Sequence, residues 1–256
     1  SPAIVNALSW TPARGDLETW KRVASIYNRE GLEALQFLFG VGFASPLFRF
    51  TNFAGSIVSA VGQKGSGKSS ALMLLNSLWG HKKHGWVDLQ HDTKRAFYGK
   101  LGALNNLPST YDETTNLSGE DVSEMAYAMT KGQGRQRLQA NGQAQENYGN
   151  WCALMASSAN SSMVSALSNH KADSSAEASR IFEYTVPSGT LTKAEADEAF
   201  DLLNDHFGVA AVPYAQALVT NREWVRERVK HWIREVDRMS GTGSSCFVAC
   251  ASEASA

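Results

Sequence analysis

The chain lacks a surplus of either charge: 24 Lys and Arg stand against 25 Asp and Glu in 256 residues, a formal net charge of −1. That balance excludes a histone-like protein or a polybasic arm that coats nucleic acid by bulk charge. Long apolar runs are missing too. The stretch 32–44 is interrupted by Glu33 and Gln36, well short of the roughly 20 residues a membrane helix needs, so no bilayer span is expected. Cysteine is scarce: Cys152, Cys246 and Cys250 make no regular framework, and an odd count fits free thiols in a reducing cytoplasm. No cationic segment followed by an apolar one opens the chain, so a secretion leader is not expected, and with Ser1 in place of Met both ends read as cuts in something longer. What is present is 43% hydrophobic and 10% aromatic residues with 19% charged, enough for a full core in one large domain or two small ones.

Leu17, Trp20, Val23, Ala24 and Tyr27 recur at spacings of three and four, and Leu32 to Phe39 continues in kind, so residues 1–50 read as a helical preface. Residues 56–61 then read as a short strand, followed by a glycine-rich turn and an apolar helix from Ser69 to Trp79. Further on come a helix near Lys94 to Leu104, a short strand ending in Asp112-Glu113, a helix from about Glu120 to Thr130, and strands at Trp151 to Ala156 and Ile181 to Val186. Strands alternating with helices predict an α/β fold with a parallel sheet covered on both faces. Leu191 to Phe207 reads as an acidic amphipathic helix and Glu223 to Met239 as a second, with Val225, Val229, Trp232 and Val236 on one side. The expected division is a helical N-terminal segment 1–50, a core 51–190 and a helical C-terminal appendage 191–256.

Gly62-Gln63-Lys64-Gly65-Ser66-Gly67-Lys68-Ser69 matches GxxxxGK[ST] in full. Such a loop needs glycine because its backbone N–H groups must turn inward onto phosphate oxygens, and a Cβ would obstruct that nest or its positive φ angles. Gly62, Lys64, Gly65, Ser66, Gly67, Lys68, Ser69 and Ser70 are therefore expected to hold ATP. Lys68 would bridge the β- and γ-phosphates, and the Ser69 hydroxyl would hold Mg²⁺ at the positive end of the following helix.

The loop alone does not separate kinases, GTPases, transporters and motors, so other groups must choose. Asp112-Glu113, at a strand end 44 positions after Lys68, reads as a Walker B pair, with Asp112 toward Mg²⁺ and Glu113 polarising the attacking water. The strand ahead of it, Leu107-Pro108-Ser109-Thr110-Tyr111, is more polar than a fully buried strand ordinarily is. Asn160, ending the Trp151 strand, fits the polar sensor between loop and carboxylates. Arg180, ahead of the Ile181 strand, is placed to act in trans as an arginine finger on a neighbouring subunit's nucleotide.

With Gly42-Phe43-Ala44-Ser45-Pro46-Leu47, Asp92-Thr93, Leu107-Pro108 before Asp112-Glu113, Lys131-Gly132-Gln133-Gly134-Arg135-Gln136-Arg137 and Ser179-Arg180, the sequence resembles the phage and plasmid helicase-like ATPases. That family was long catalogued as a domain of unknown function and is similar in layout to the AAA+ and superfamily 3 helicases. The resemblance spans about residues 35–190. It implies an AAA+-type P-loop NTPase that forms a homo-oligomeric ring, with six subunits the expected number. It further implies a DNA-dependent ATPase serving replication of a mobile element in the host cytoplasm, often attached to a primase or polymerase module.

Independently of that resemblance, Arg135 to Gln145 carries an Asn141-Gly142 pair that suits a two-residue hairpin turn. Lys131, Arg135 and Arg137 cluster at its start, and such a basic hairpin repeated around a ring would track the phosphates of single-stranded DNA without reading bases. Two rival readings stay open: a P-loop kinase or phosphotransferase working as a monomer, and a non-catalytic loader or assembly module that only binds ATP. His81, His84 and His91 lack the tight ligand pairs that zinc prefers and read as a solvated loop. Cys246 and Cys250 read as small buried thiols. The arginines of the last helix, Arg226, Arg228 and Arg234, read as a solvated charged face.

Overall fold

The computed structural model describes residues 12–133, 149–171, 173–189 and 191–240, the side chain of Ser240 excepted. In chain order its regular elements begin with α1 (Leu17–Ile26), α2 (Glu33–Leu47), β1 (Gly55–Val61), α3 (Lys68–Ser77), α4 (Lys94–Leu104), β2 (Ser109–Tyr111) and α5 (Gly119–Lys131). They continue with β3 (Ala153–Ala159), α6 (Met163–His170), α7 (Ser175–Ala178), β4 (Ile181–Thr185), α8 (Lys193–Leu202), α9 (Ala211–Thr220) and α10 (Arg222–Ser240).

The four strands form one parallel sheet in the order β2-β3-β1-β4. Gly55 is in register with Ala153, Ile57 with Ile181 and Ser109 with Met155. Because side chains alternate along a strand, Val58, Ala60, Leu154 and Ala156 enter one core while Ile57, Tyr111, Met155 and Ile181 enter the other. Residues of α1, α2, α3 and α8 fill the first core, and α4, α5 and α6 fill the second. This is the two-sided cover that a parallel sheet requires.

Each helix has a local cause. In α1 the carboxylate of Asp16 accepts the Thr19 N–H at 2.7 Å, and Trp20 and Val23 fall on the face that meets the core. The Trp20 indole N–H donates to Ser77 Oγ at 2.9 Å, tying α1 to the end of α3. α5 opens on Ser118, whose Oγ accepts the Asp121 N–H, and closes on Gly132 in the left-handed region. α8 opens on a reciprocal capping box between Thr192 and Glu195.

Three expectations change. The helix expected to run to Phe207 stops at Leu202; Phe207 instead pairs antiparallel with Arg14 and packs its ring edge-on to His81, 5.4 Å between centroids. The histidine loop is not solvated throughout, since His84 is buried while His91 is exposed. β3 extends past its apolar start through Ser157 and Ser158, both buried. The hairpin expected at 135–145 lies outside the described residues. Its flanks do not: Gln133 and Asn150 form an antiparallel bridge, and the Trp151 N–H donates to Gly132 O at 2.8 Å. Among the described residues no helix is long and apolar enough to cross a membrane.

Candidate functional site

The 62–67 loop leaves β1 at the C-terminal edge of the sheet and enters α3 directly. Its start is fixed by the Gly62 N–H donating to Ala159 O at 3.1 Å and by the Val186 N–H donating to Val61 O at 2.7 Å. Gly65 and Gly67 hold φ of +83° and +89°. A Cβ on Gly67 would also sit 2.9 Å from Leu35 Cδ1, whereas one on Gly65 meets nothing within 4 Å, so the demand at Gly65 is conformational alone. Lys64 is exposed on the loop, and Ser66 is buried beneath it.

Lys68 is buried, and its ammonium donates to Gly62 O at 2.7 Å, Gln63 O at 2.9 Å and Ser66 Oγ at 3.1 Å. Burial pushes its pKa down, opposed by the nearby charges of Glu113 and Asp112. Those two carboxylates face the loop across the sheet edge because β3 lies between β1 and β2 and brings its own C-terminal end between them. Ser69 Oγ donates to Asp112 Oδ1 at 3.0 Å, and Ser158 Oγ donates a short bond to the same oxygen. Asn160 Nδ2 donates to Glu113 Oε2 at 2.9 Å, and the Asn160 N–H is held by Thr115 Oγ1 at 2.8 Å. Ser70 lies beside the buried hydroxyl of Tyr27, whose pKa burial pushes up. Its backbone N–H, like those of Lys68 and Ser69, belongs to the first turn of α3, where a helix has no acceptor of its own to offer.

Lys68, Ser69, Asp112, Glu113 and Asn160 therefore come together. Arg180 does not join them within the chain. It precedes β4 at the opposite edge of the sheet, where the Ile57 N–H donates to its carbonyl at 3.1 Å. Its Nε donates to Thr130 Oγ1 at 3.0 Å, a second guanidinium nitrogen donates a short bond to Ala176 O, and the group lies 4.6 Å from the Tyr127 ring centroid. Lys131 ends α5 at that same edge and is exposed; Arg135 and Arg137 lie outside the described residues.

Ser158, Thr114 and Thr115 were not singled out from the sequence. Besides bonding Asp112, Ser158 Oγ accepts the Glu113 N–H at 3.2 Å, and its carbonyl accepts from Thr114 Oγ1 at 3.2 Å. The available signal was the Ser157-Ser158 pair inside an otherwise apolar strand, where a buried hydroxyl needs a partner.

Chemically, inward backbone N–H groups and a held ammonium suit a phosphate chain. The Ser69 hydroxyl and Asp112 carboxylate suit a hard cation such as Mg²⁺, which takes few protein oxygens and completes its shell from phosphate and water. No group of three or more His, Cys, Asp or Glu able to hold a metal occurs among the described residues, in keeping with so sparse a donor set.

The fold and this loop define an α/β protein of P-loop-like architecture. The chain belongs to the family described as "Domain of unknown function (DUF927)", which matches residues 5–148, more than half its length. It is also similar to the solved structure of SCCmec type IV Cch, described as an active helicase, with a TM-score of 0.71 over 93% of this chain and 20% identity. The likeness is one of fold, helicase-like in that sense, and this chain spans only 44% of the length of that one. No curated protein matches the chain.

Proposed function

We propose that the chain is an AAA+-type ATPase core that assembles into a ring, with six subunits expected, and drives movement on single-stranded DNA during replication of a mobile element. The observation that carries this reading is the convergence of Lys68, Ser69, Asp112, Glu113 and Asn160 at the ends of three adjacent strands. The helicase described for the structural neighbour supports it, as does the sequence resemblance.

In this reading the backbone of 62–70 and Lys68 bind and orient the triphosphate, and Ser69 with Asp112 would hold Mg²⁺, which supplies neutralisation of the phosphate charge. Glu113, oriented by Asn160, accepts a proton from the water whose oxygen bonds to the γ-phosphorus as the bond from that phosphorus to the β–γ bridging oxygen breaks, releasing ADP. Arg180 stands a full strand away from its own loop, about 20 Å by the rise of seven residues. A guanidinium there serves a nucleotide only from a neighbouring subunit, which is why the ring is part of the proposal. Lys131, exposed at that same edge, would grip the DNA backbone together with Arg135 and Arg137, while α5 and β3 link that edge to the carboxylate end.

The test is ATP hydrolysis with and without single-stranded DNA, alongside light scattering for oligomeric state. Hydrolysis stimulated severalfold by DNA in an assembled ring is expected. A rate indifferent to DNA would remove the motor, and an Arg180→Ala chain hydrolysing like the parent when assembled would remove the finger in trans. The loader reading would gain if the intact chain bound ATP without turnover.

A further inference from the structure

The edge of the sheet opposite the glycine loop carries a cleft of about 460 Å³ lined by Arg49, Phe50, Thr51, Asn52, Cys152, Arg222, Arg226 and Lys230. Four cations and no carboxylate face it. Arg222, Arg226 and Lys230 recur every fourth residue, so one stripe of α10 supplies three of them, and Arg49 reaches in from the short 3₁₀ turn after α2. Among the described residues Arg49 and Arg222 have no carboxylate partner. Arg226 pairs with Glu223 at 2.9 Å and Lys230 with Glu227 at 3.4 Å, surface pairs that hold a cation only weakly. A second, wider cavity of about 1040 Å³ shares Phe50, Thr51, Asn52 and Lys230 with the first and is walled by aromatic and aliphatic groups including Phe53, Trp224 and Trp232. Those three rings are 47%, 66% and 53% exposed, far more than core aromatics.

We infer that this cleft is a binding site for single-stranded nucleic acid, with phosphates on Arg49, Arg222, Arg226 and Lys230 and bases against the neighbouring aromatic wall. A row of cations beside exposed ring faces is what an unpaired strand requires, because it presents a charged backbone and free base faces together, whereas a duplex hides its base faces in the stack. Placement agrees. Cys152 stands two residues after Asn150, which bridges to Gln133, so the cleft lies at the same edge of the sheet as the exposed Lys131 at the end of α5. The inference rests on the proposed function only in taking DNA as the polymer; it requires no ATP hydrolysis.

The experiment titrates fluorescein-labelled oligothymidylate into the full chain over a salt series, comparing the parent with an Arg49→Ala/Arg222→Ala/Lys230→Ala variant, all three positions being exposed. At least a tenfold loss of affinity is expected, with the slope of log K against log salt smaller by about two, since each phosphate contact on a single strand contributes about 0.7. Hydrolysis without DNA should not change. In a Cys246→Ser/Cys250→Ser background, saturating oligothymidylate should slow alkylation of Cys152, a readout the Lys131 segment does not supply. Unchanged affinity and unprotected Cys152 would overturn the cleft, and a Lys131→Ala/Arg135→Ala variant that lost binding in that case would leave the motor reading standing. Lost affinity in the cleft variant with hydrolysis indifferent to DNA would sink the motor and keep the cleft. Equal binding of a duplex, or tighter binding of polyglutamate than of oligothymidylate, with the same dependence on the three cations, would overturn the assignment to single strands.

Discussion

Asn160 Nδ2 donates to Glu113 Oε2 at 2.9 Å, so the residue just past β3 orients the carboxylate just past β2. The two strands are neighbours, and any shift of one against the other moves this bond. In the proposed chemistry it aims the base at water, while Lys68 and Ser69 handle the phosphates from the far side of β3.

That division of roles separates two variants. Glu113→Gln keeps shape and removes basicity, so hydrolysis should fall by about 10²–10⁴ while nucleotide affinity stays within a fewfold of the parent. Asn160→Ala should lower kcat by about tenfold with KM little changed, because the base survives but loses its aim. Steady-state kinetics with a direct nucleotide-binding assay makes the comparison, and a Glu113→Gln chain turning over at the parental rate would remove Glu113 from the chemistry.

Glu113 also sits at φ +61°, ψ +65°, a left-handed conformation that a non-glycine residue adopts at a cost of about 1 kcal/mol or more. Such strain is commonly kept where a side chain must be aimed. Glu113→Gly should therefore abolish hydrolysis while leaving the thermal midpoint equal or higher, and Glu113→Val, β-branched at the same φ, should lower it. A Glu113→Gly chain markedly less stable than Glu113→Val would show that the conformation is not strained.

Much of this was legible in the sequence because its signals were local. The 62–69 motif, the periodicity of Trp20, Val23 and Tyr27, and the turn residues around each strand placed β1, α1, α3 and α4 within a residue or two of where they lie. What the sequence hid depends on partners distant along the chain. In the polar strand before Asp112 the partner of Thr110 was invisible, since Thr110 is buried against Asn76 of α3, whereas Ser109 Oγ is buried with no hydrogen-bond partner among the described residues; likewise Ser45 of α2 serves β3 by accepting the Leu154 N–H at 3.0 Å. Ser158 went unnoticed for the same reason, its partners lying 45 and 46 positions away. Arg228 and Arg234 of α10 are exposed, as a solvated face predicts, while the cleft that Arg222, Arg226 and Lys230 line together with Arg49 could not be read from α10 alone.

The Asn76–Thr110 contact gives a stability test. Asn76 Nδ2 donates to Thr110 Oγ1 at 2.9 Å and to Lys82 O at 3.1 Å, both in buried surroundings, so the side chain joins α3, β2 and the following loop. Asn76→Ala strands both acceptors and should cost about 1–3 kcal/mol in denaturant unfolding. Adding Thr110→Val should cost less than the sum of the single changes, because it removes a hydroxyl already left without its partner. Strict additivity would mean the two side chains do not interact in solution.

The pairing of Arg29 with Glu195 gives a pH test whose sign is fixed. Arg29 forks onto Glu195, one of its two bonds measuring 2.9 Å, and joins the turn after α1 to the first turn of α8. Chiefly through that guanidinium, and then through Thr192, the Glu195 pKa is pushed down to about 2 from an ordinary 4.5. A depressed carboxylate pKa means that the unfolded chain binds the proton first, so the contribution is whole above about pH 4.5 and drains away as pH falls toward 2. Arg29→Ala should raise the Glu195 pKa, read by carboxyl carbon shifts in NMR, without restoring it fully, since the Thr192 hydroxyl and N–H still donate to it at 2.7 and 2.9 Å. The parent and Arg29→Ala should then differ in unfolding midpoint at neutral pH and converge at the acid end. A difference that stayed constant down to pH 2 would mean that Arg29 acts through its packing and not through its charge.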